Sequence, residues 1–326
     1  MDARSMVVNC VAYRNGERLR DIAIEETADV LAEEGTFIWL GVHDPDEALL
    51  RQIQQQFGLH DLAVEDALAA HQRPKLEEYG DTLFMVFRTA QIVHREIEFG
   101  ETHVFVGRRF LVSVRHGSSQ TYARVRERCE TIPTRLARGP AFALYAIMNF
   151  IVDNYRPIVE ELHRRFEYLE AHLFDVQFDR RRLEDLYDLK RQLLMLSSAA
   201  APMNDICAEL TRLHSDLIQK EIRVYFRDIQ DHAKRVTQSI DSMREMVTAA
   251  MQVNLAMVAV GQNEIVKKLA GWGAILAIPT MVFSLYGMNF RNMPELEFRW
   301  GYPAVMVVVG VACVWLYRRL RRDGWL

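Results

Sequence analysis

The sequence contains none of the short motifs that mark common catalytic sites. It has no phosphate-cradling glycine loop with Lys-Ser or Lys-Thr, no His-Glu-x-x-His and no Gly-x-Ser-x-Gly. Its ten histidines are dispersed, and His60, His71 and His103 lack the spacing of metal ligands. We therefore expect a protein that is not an enzyme. Because a nucleotide site is missing as well, we do not expect a pump driven by nucleotide hydrolysis.

Cysteine is scarce, with four residues in a chain of 326. Cys10, Cys129, Cys207 and Cys313 lie far apart and form no Cys-x-x-Cys pair. This spacing indicates reduced, buried thiols in a reducing compartment rather than a disulfide framework. The segment 1–4 also lacks the apolar core of a secretory signal, so we expect no cleaved signal peptide.

The chain has little net charge, because 40 Lys and Arg residues oppose 44 Asp and Glu residues for a net charge of −4. This balance does not favour a nucleic-acid partner or a strongly acidic partner. The charges are unevenly distributed, since residues 269–326 carry almost none outside one loop and a final basic segment. The chain therefore divides into a charged part, 1–268, and an apolar part.

The apolar part contains two runs without any charged residue, 269–290 and 300–317. A bilayer core needs about 20 apolar residues in a helix, so both runs are predicted to span a membrane as a hairpin. Basic residues lie mostly on one side of this hairpin, which predicts that both chain ends and the charged part are cytoplasmic. These residues are Lys267, Lys268, Arg318, Arg319, Arg321 and Arg322, against Arg291 and Arg299 in the loop.

The first 140 residues have the pattern of a mixed α/β domain. Segments rich in β-branched and aromatic residues predict strands at 7–13, 37–41, 83–93 and 102–114. Helical spacing predicts helices at 46–57, 61–70 and 124–136.

Long helices are predicted for the rest of the charged part. One covers 141–174 with an interruption at Pro157, and another covers 183–200 after a turn at 175–179. Between Met203 and Ile278 proline is absent, and an apolar 3-4 spacing runs from Ile222 to Gly261. This regularity predicts a long bundled or self-associating helix that continues into the first membrane run.

The predicted fold class is therefore α+β, with a cytoplasmic mixed domain and long helices that lead through a stalk into two transmembrane helices. The predicted divisions are an α/β domain (1–140), a long-helix region (141–215), a stalk with the first membrane helix (216–290), a loop (291–299), the second membrane helix (300–317) and a basic cytoplasmic tail (318–326).

Several short motifs carry a family resemblance. In chain order they are Val64-Glu65-Asp66, His71-Gln72-Arg73-Pro74-Lys75, Tyr225-Phe226-Arg227-Asp228, Tyr286-Gly287-Met288-Asn289-Phe290, Met293-Pro294-Glu295-Leu296 and Trp325-Leu326. The ordered set resembles the CorA family of divalent metal cation channels. The resemblance implies a funnel-shaped homo-oligomer of five subunits in the cell (inner) membrane, with Mg²⁺ as both the transported and the regulatory ion.

Small and polar residues form one helical stripe along the first membrane run. Such a stripe is typical of close helix packing or of a pore lining. The resemblance implies the pore, with its polar and small residues at Asn263, Ala277, Thr280, Ser284, Gly287, Met288 and Asn289. It also implies an apolar constriction at Val266 and Leu269, and Glu295 is an acidic candidate in the loop.

The membrane runs contain no acidic residue that could bind a bare cation. Mg²⁺ gives up its water reluctantly, so neutral amides that contact its hydration shell suit it better than carboxylates. A ring of Asn289 side chains, one from each subunit, would admit the ion largely hydrated.

The resemblance also implies that carboxylates of adjacent subunits bind a regulatory Mg²⁺, at Asp66 and Asp228 with Glu65 nearby. Without the resemblance, a carboxylate of this kind is more often a solvated charge on a helix surface. Two facing carboxylates repel each other unless a cation bridges them, so loss of cytoplasmic Mg²⁺ would loosen the subunits.

The leading hypothesis is a channel for Mg²⁺ influx, with Co²⁺ and Ni²⁺ as further candidate ions. One alternative is a Zn²⁺ transporter of the same superfamily. Another is a membrane-anchored sensor or scaffold without transport, for which the hairpin is only an anchor.

Overall fold

The computed structural model describes most of the chain, in the ranges 6–69, 72–94, 96–117, 120–171, 180–214, 217–288, 293 and 299–326. The chain forms two compact units. The first reaches to Thr248, and the second comprises Ala249–Leu326.

Seven strands within the described residues form one sheet in the first unit. They are β1 (Val7–Arg14), β2 (Glu17–Asp21), β3 (Thr36–His43), β4 (Lys75–Tyr79), β5 (Thr82–Val93), β6 (Glu96–Val106) and β7 (Phe110–Gly117). Their order is β2-β1-β3-β7-β6-β5-β4. Neighbours are antiparallel except β3 and β7, which are parallel.

The described helices are α1 (Thr27–Ala32), α2 (Glu47–Phe57), α3 (Asp61–Leu68), α4 (Ala123–Glu130), α5 (Pro133–Leu136), α6 (Pro140–Ala171), α7 (Arg180–Arg212), α8 (Arg223–Tyr286) and α9 (Gly301–Arg322). The bounds of α2 follow from its sequence. The Asp46 carboxylate accepts a hydrogen bond from Leu49 N at 2.8 Å, and Gly58 ends the helix with φ of 63°.

Helices cover both faces of the sheet, so the central strands are buried on both sides. Ile38, Leu40 and Val42 of β3 face a core that also contains Leu50 and Ile53 of α2. On the other face, α6 packs along β3, β5, β6 and β7. This double burial explains why β3 is a continuous apolar run rather than an alternating one.

The predicted strand over 102–114 is wrong, because this segment is a hairpin. Val106 at the end of β6 pairs with Leu111 near the start of β7, and the chain turns between them. Gly107 leaves room there for the Phe110 ring, since a Cβ at position 107 would lie 2.4 Å from Phe110 Cε1 and the ring would have to move. Apolar residues flank the turn on both sides, so composition alone does not reveal it.

Two strands, β2 and β4, are not predicted by the sequence pattern. Both are edge strands, and β2 consists entirely of exposed residues. Edge strands are held by backbone pairing on one side and often carry charged residues. They therefore lack the apolar signal on which the prediction depends. Helix α1 is also missing from the prediction.

One proline divides a helix that was predicted to be continuous, whereas two other prolines lie inside helices that continue past them. The single helix predicted over 124–136 is divided into α4 and α5, because Ile132 precedes Pro133 and leaves the helical region with ψ of 71°. In contrast, α6 continues through Pro157, and α7 continues through Pro202 to Arg212. The predicted turn at 175–179 lies outside the described residues.

The long helices of the first unit pack on one another and on the sheet. The Tyr155 hydroxyl of α6 donates a hydrogen bond to Arg88 O of β5 and lies 3.3 Å from Ala199 O of α7. The predicted apolar stripe of α8 is buried in this unit, as shown by Ile222, Phe226, Ile229, Ala233, Ile240, Met243 and Val247. The prediction of a bundled helix is confirmed over this stretch.

The prediction of reduced, buried thiols is confirmed for three of the four cysteines. Cys10, Cys129 and Cys207 are free and buried. Burial raises the pKa of the Cys10 and Cys207 thiols to about 12. Burial also raises the pKa of the Cys129 thiol to about 11. All three are therefore unreactive near neutral pH.

The second unit contains two helical segments that are long and apolar enough to cross a membrane, the later part of α8 and α9. The two segments contact each other, with the Trp272 and Tyr317 rings 6.2 Å apart. Large apolar side chains such as Leu276, Met281 and Val307 are exposed in the single chain. Such a surface requires lipid or other subunits to cover it.

Candidate ion pathway and cation-sensing positions

Six of the predicted pathway residues lie on α8, namely Asn263, Val266, Leu269, Ala277, Thr280 and Ser284. All are exposed in the single chain. A single copy of α8 contributes only one side chain at each level of a pathway. Several copies are needed to surround an ion. Asn289 and Glu295 lie outside the described residues, and Gly287 and Met288 directly follow α8.

Helix α8 ends at Tyr286, the first residue of the family motif Tyr286-Gly287-Met288-Asn289-Phe290. Gly287 N donates to Phe283 O at 2.9 Å, and Met288 N donates to Leu285 O at 3.3 Å. The first is an ordinary α-helical bond over four residues and the second a tighter bond over three, and together they close the last turn of α8, which ends at Tyr286. The carbonyl end of a helix carries partial negative charge, which favours a cation just beyond it.

Pro279 lies inside α8 and leaves one backbone carbonyl of the helix without its usual hydrogen bond. A proline cannot donate to the carbonyl four residues earlier, which is that of Ile275. Cys313 Sγ of α9 approaches this carbonyl oxygen at 3.8 Å. Thr280 donates its hydroxyl to Leu276 O at 2.8 Å. The Cys313 thiol thus donates to the carbonyl that proline leaves free, and Cys313 is only partly buried, unlike the buried thiol that the sequence predicts.

The Asp66 carboxylate on α3 is bound by a lysine of the same chain. Lys75 Nζ lies 2.6 Å from Asp66 Oδ2 and 2.8 Å from Glu77 Oε2. Burial alone would lower the pKa of Lys75, but the hydrogen bonds that Lys75 donates to Asp66 and Glu77 outweigh burial and raise this pKa above its usual value. Lys75 is therefore a fixed positive charge beside the predicted sensor. Glu65 of the same helix is exposed.

Asp228 on α8 belongs to a second group of polar residues. His232 Nε2 lies 3.7 Å from Asp228 Oδ1, and its Nδ1 lies 3.8 Å from Asp153 Oδ1 on α6. Asn149 Nδ2 donates to Asp153 Oδ2 at 2.7 Å. The imidazole thus lies between two carboxylates.

Sequence reasoning did not identify Asp153 or His232. The spacing of four residues between Asp228 and His232 places both on one helix face and could have indicated the second of them. Asp153 has no local signal, since only the packing of α6 against α8 brings it there.

The described residues of a single chain do not form a complete metal site. They contain no group of three or more His, Cys, Asp or Glu side chains close enough to hold a metal ion. Asp66 instead pairs with Lys75, and Asp228 faces His232.

An α+β unit whose long helix continues into a pair of membrane-length apolar helices defines a class of two-helix membrane proteins. Residues 34–322 match the family described as CorA-like Mg²⁺ transporter protein, and the chain belongs to this family. The predicted family resemblance is confirmed.

Similar proteins cover nearly the whole chain. The cobalt/magnesium transport protein CorA of Thermotoga maritima is 28% identical over 318 residues, which are 95% of this chain and 90% of that protein. The complete structure of the CorA magnesium transporter from Methanocaldococcus jannaschii superposes with a TM-score of 0.79 at 22% identity, covering 98% of this chain and 99% of that one. The full-length CmaX protein superposes with a TM-score of 0.75 at 17% identity, covering 97% and 98%. The predicted α+β fold is confirmed by these two structures.

Proposed function

We propose that the protein is a channel for the influx of hydrated Mg²⁺, with Co²⁺ and Ni²⁺ as further permeant ions. The observation that carries the proposal is the end of α8 at Tyr286, directly before Gly287-Met288-Asn289. In the sequence, the amide residue Asn289 follows the carbonyl end of this apolar helix by three residues. Family membership and the transport activity named for the Thermotoga maritima relative support the same function.

The chemistry of the two membrane helices supports a hydrated ion. No acidic residue occurs in 269–290 or 300–317, so no carboxylate can replace the inner water shell. Mg²⁺ keeps several waters in most of its sites, and amide oxygens can accept hydrogen bonds from these waters. Entry needs no further energy source, because an inside-negative potential of 100 mV favours a divalent cation by about 4.6 kcal/mol.

A pathway for the ion requires several copies of α8 around one axis. The six pathway positions on α8 are exposed in the single chain, and Val266 and Leu269 are 60% and 73% exposed. Side by side in several copies, these two residues would form an apolar ring that closes the pathway by excluding water. We infer a homo-oligomer in the cell membrane, with the five subunits that the family resemblance implies and both chain ends in the cytoplasm.

Gating is assigned to Mg²⁺ that bridges carboxylates of adjacent copies. Asp66 and Asp228 are the principal ligands in this proposal, and Glu65 lies beside them. Their side chains are 27% and 58% exposed, so a neighbouring copy can reach both. Bound Mg²⁺ would hold the subunits in the closed arrangement, and its loss would favour the open one, because the ion has higher affinity for the closed state.

The decisive experiment is ion flux into liposomes that contain the purified protein and a metal-sensitive dye. An imposed inside-negative potential should drive Mg²⁺ entry, and Co²⁺, Ni²⁺ and Zn²⁺ are then tested in turn against protein-free liposomes. A scaffold would give no flux with any metal, and a zinc transporter would admit Zn²⁺ in preference to Mg²⁺. Either result would overturn the proposal.

A further inference from the structure

The segment after α9 is reversed by a glycine turn. Gly324 has φ of +73°, a conformation that residues with a side chain rarely adopt. Trp325 N donates to Leu320 O at 2.9 Å and Gly324 N donates to Arg321 O at 3.4 Å, which is the bond pattern of a glycine-terminated helix cap. The positions of Trp325 and Leu326 are therefore set by the end of α9.

The turn brings Leu326 onto the backbone of α8. A Cβ added to Gly271 would lie 3.2 Å from Leu326 Cγ and 3.3 Å from its Cδ2. Gly271 is buried, whereas every other residue from 255 to 286 is at least partly exposed. Leu326 therefore packs closely on α8 at a position without a side chain, where an added Cβ would require Leu326 to shift by a few tenths of an ångström.

This contact lies behind the proposed apolar ring. A helix turns about 100° per residue, so Leu269 lies about 160° and Val266 about 140° around α8 from Gly271. A side chain seated on Gly271 thus presses on the face opposite the two ring residues. The next described contacts between α8 and α9, at Trp272 with Tyr317 and Ile275 with Cys313, come later along α8.

We propose that Leu326 is a positioning residue for the ion pathway, which holds the ring of Val266 and Leu269 closed by packing on Gly271. This inference rests on the proposed channel function. Among the described contacts of α8 with α9 and its tail, that of Leu326 lies nearest the start of the membrane run, so Leu326 supports α8 where the helix enters it. Without it, α8 can shift at the constriction and the closed state admits ions.

The gating test uses full-length protein in liposomes with saturating internal Mg²⁺, which closes the wild-type channel. Leu326→Ala removes the side chain, and Gly271→Val occupies its seat, so each should raise the residual Mg²⁺ flux several-fold. Gly271→Ala should have a smaller effect. The matched control is Gly310→Val on α9, because an added Cβ there has no neighbour within 4 Å. Its residual flux should equal that of the wild type.

A double variant shows whether the increased flux comes from the lost contact between Leu326 and Gly271 or from a general loss of structure. The double exchange of Gly271→Val with Leu326→Ala moves the bulk from one side of the contact to the other, and closure should return towards the wild-type level. Size-exclusion profiles and melting temperatures should show intact oligomers for each variant. If Gly271→Val fails to assemble, Leu326→Ala carries the test alone. Wild-type closure in assembled Leu326→Ala protein would overturn the inference.

A second readout does not depend on transport. Leu326→Cys is labelled with a maleimide in a Cys313→Ser background, where the remaining native cysteines are buried. Labelling should be slow with Gly271 in place and several-fold faster with Gly271→Val. Equal rates would show that the contact does not form. If the wild type conducts no ions but labelling is slow, the channel function fails while the contact stands.

Discussion

Lys75 Nζ lies 2.6 Å from Asp66 Oδ2, so the carboxylate proposed to sense Mg²⁺ is already paired with a cation of its own chain. The two side chains are 28% and 27% exposed, and Glu77 holds the lysine from its other side. A bridging Mg²⁺ must therefore displace the ammonium group or share the carboxylate with it. This competition would set the concentration at which the channel closes.

Lys75→Met should make closure occur at lower Mg²⁺. The change removes the competing charge while keeping an apolar chain of similar length. A pair of this exposure contributes ~0–1 kcal/mol, which corresponds to a shift of up to about fivefold in the half-maximal Mg²⁺. Protection of the long helices from protease, titrated with Mg²⁺, measures this shift. Lys220→Met is the matched control, since Lys220 is exposed and has no ion pair among the described residues. A wild-type midpoint for Lys75→Met would mean that Asp66 does not bind the sensed ion.

Asn289→Ala should abolish Mg²⁺ uptake while the protein still assembles. The substitution removes only the amide that is proposed to accept hydrogen bonds from the water shell of the ion. Growth of a Mg²⁺-requiring strain reports uptake, and the amount of assembled protein is measured in parallel. Asn292→Ala, three residues further along, serves as the control and should support growth. Normal growth with Asn289→Ala would rule out the proposed amide ring.

Hexaamminecobalt(III) should block Mg²⁺ uptake. The complex is octahedral and close in size to hydrated Mg²⁺, and its ammine ligands donate hydrogen bonds outward as the waters do, although its charge is 3+. Because these ligands exchange very slowly, it should bind at the pore mouth without losing them and block the pore. The block is measured as dye-reported flux over a titration of the complex, with liposomes lacking protein as the reference. Full flux at a saturating concentration would indicate that ions enter dehydrated.

Asp228→Lys should make closure largely independent of cytoplasmic Mg²⁺. A lysine can pair directly with a carboxylate of the adjacent copy, so the bridging ion loses its differential affinity for the closed state. Protease protection should then be present without Mg²⁺ and should not rise when it is added. Asp231→Lys, at an exposed position three residues further along α8, is the matched control and should retain the wild-type response. A Mg²⁺-dependent rise in Asp228→Lys would leave Asp228 as an ordinary surface charge.

The first unit should lose stability as the pH falls below about 6.5, and His116 should contribute to this loss. Burial, with a smaller effect from the neighbouring His103, lowers the pKa of His116 below 6.5. Its Nε2 lies 2.9 Å from Ala67 O, and Asp44 Oδ1 lies 3.6 Å from its Nδ1. The unfolded chain therefore takes up the proton first, so stability is full above the unfolded pKa and is lost as pH falls through the folded one.

Melting temperatures of the full-length protein between pH 7.5 and 5 test this expectation. His116→Gln should flatten the pH dependence below about 6.5, because the substituted side chain cannot be protonated there. His163→Gln is the control, since His163 is an exposed residue of α6. An unchanged slope in His116→Gln would assign the acid sensitivity to other groups.

Local sequence patterns determined the parts of this protein that depend on neighbours in the chain. The two charge-free runs predicted the membrane-length helices, and helical spacing over 46–57 predicted α2, which is Glu47–Phe57. The family motifs identified the CorA-like family. These features follow from hydrophobic length, helix period and capping, which act over a few residues and can be recognised without the fold.

Tertiary structure alone decided which distant side chains meet. The division of 102–114 into β6 and β7 depends on a turn inside an apolar segment, and the edge strands β2 and β4 depend on backbone pairing. Asp153 reaches His232 only because α6 packs on α8, and Leu326 reaches Gly271 only because a glycine turn ends α9. Such contacts depend on packing between elements far apart in sequence, and the pattern along the chain carries no record of that packing.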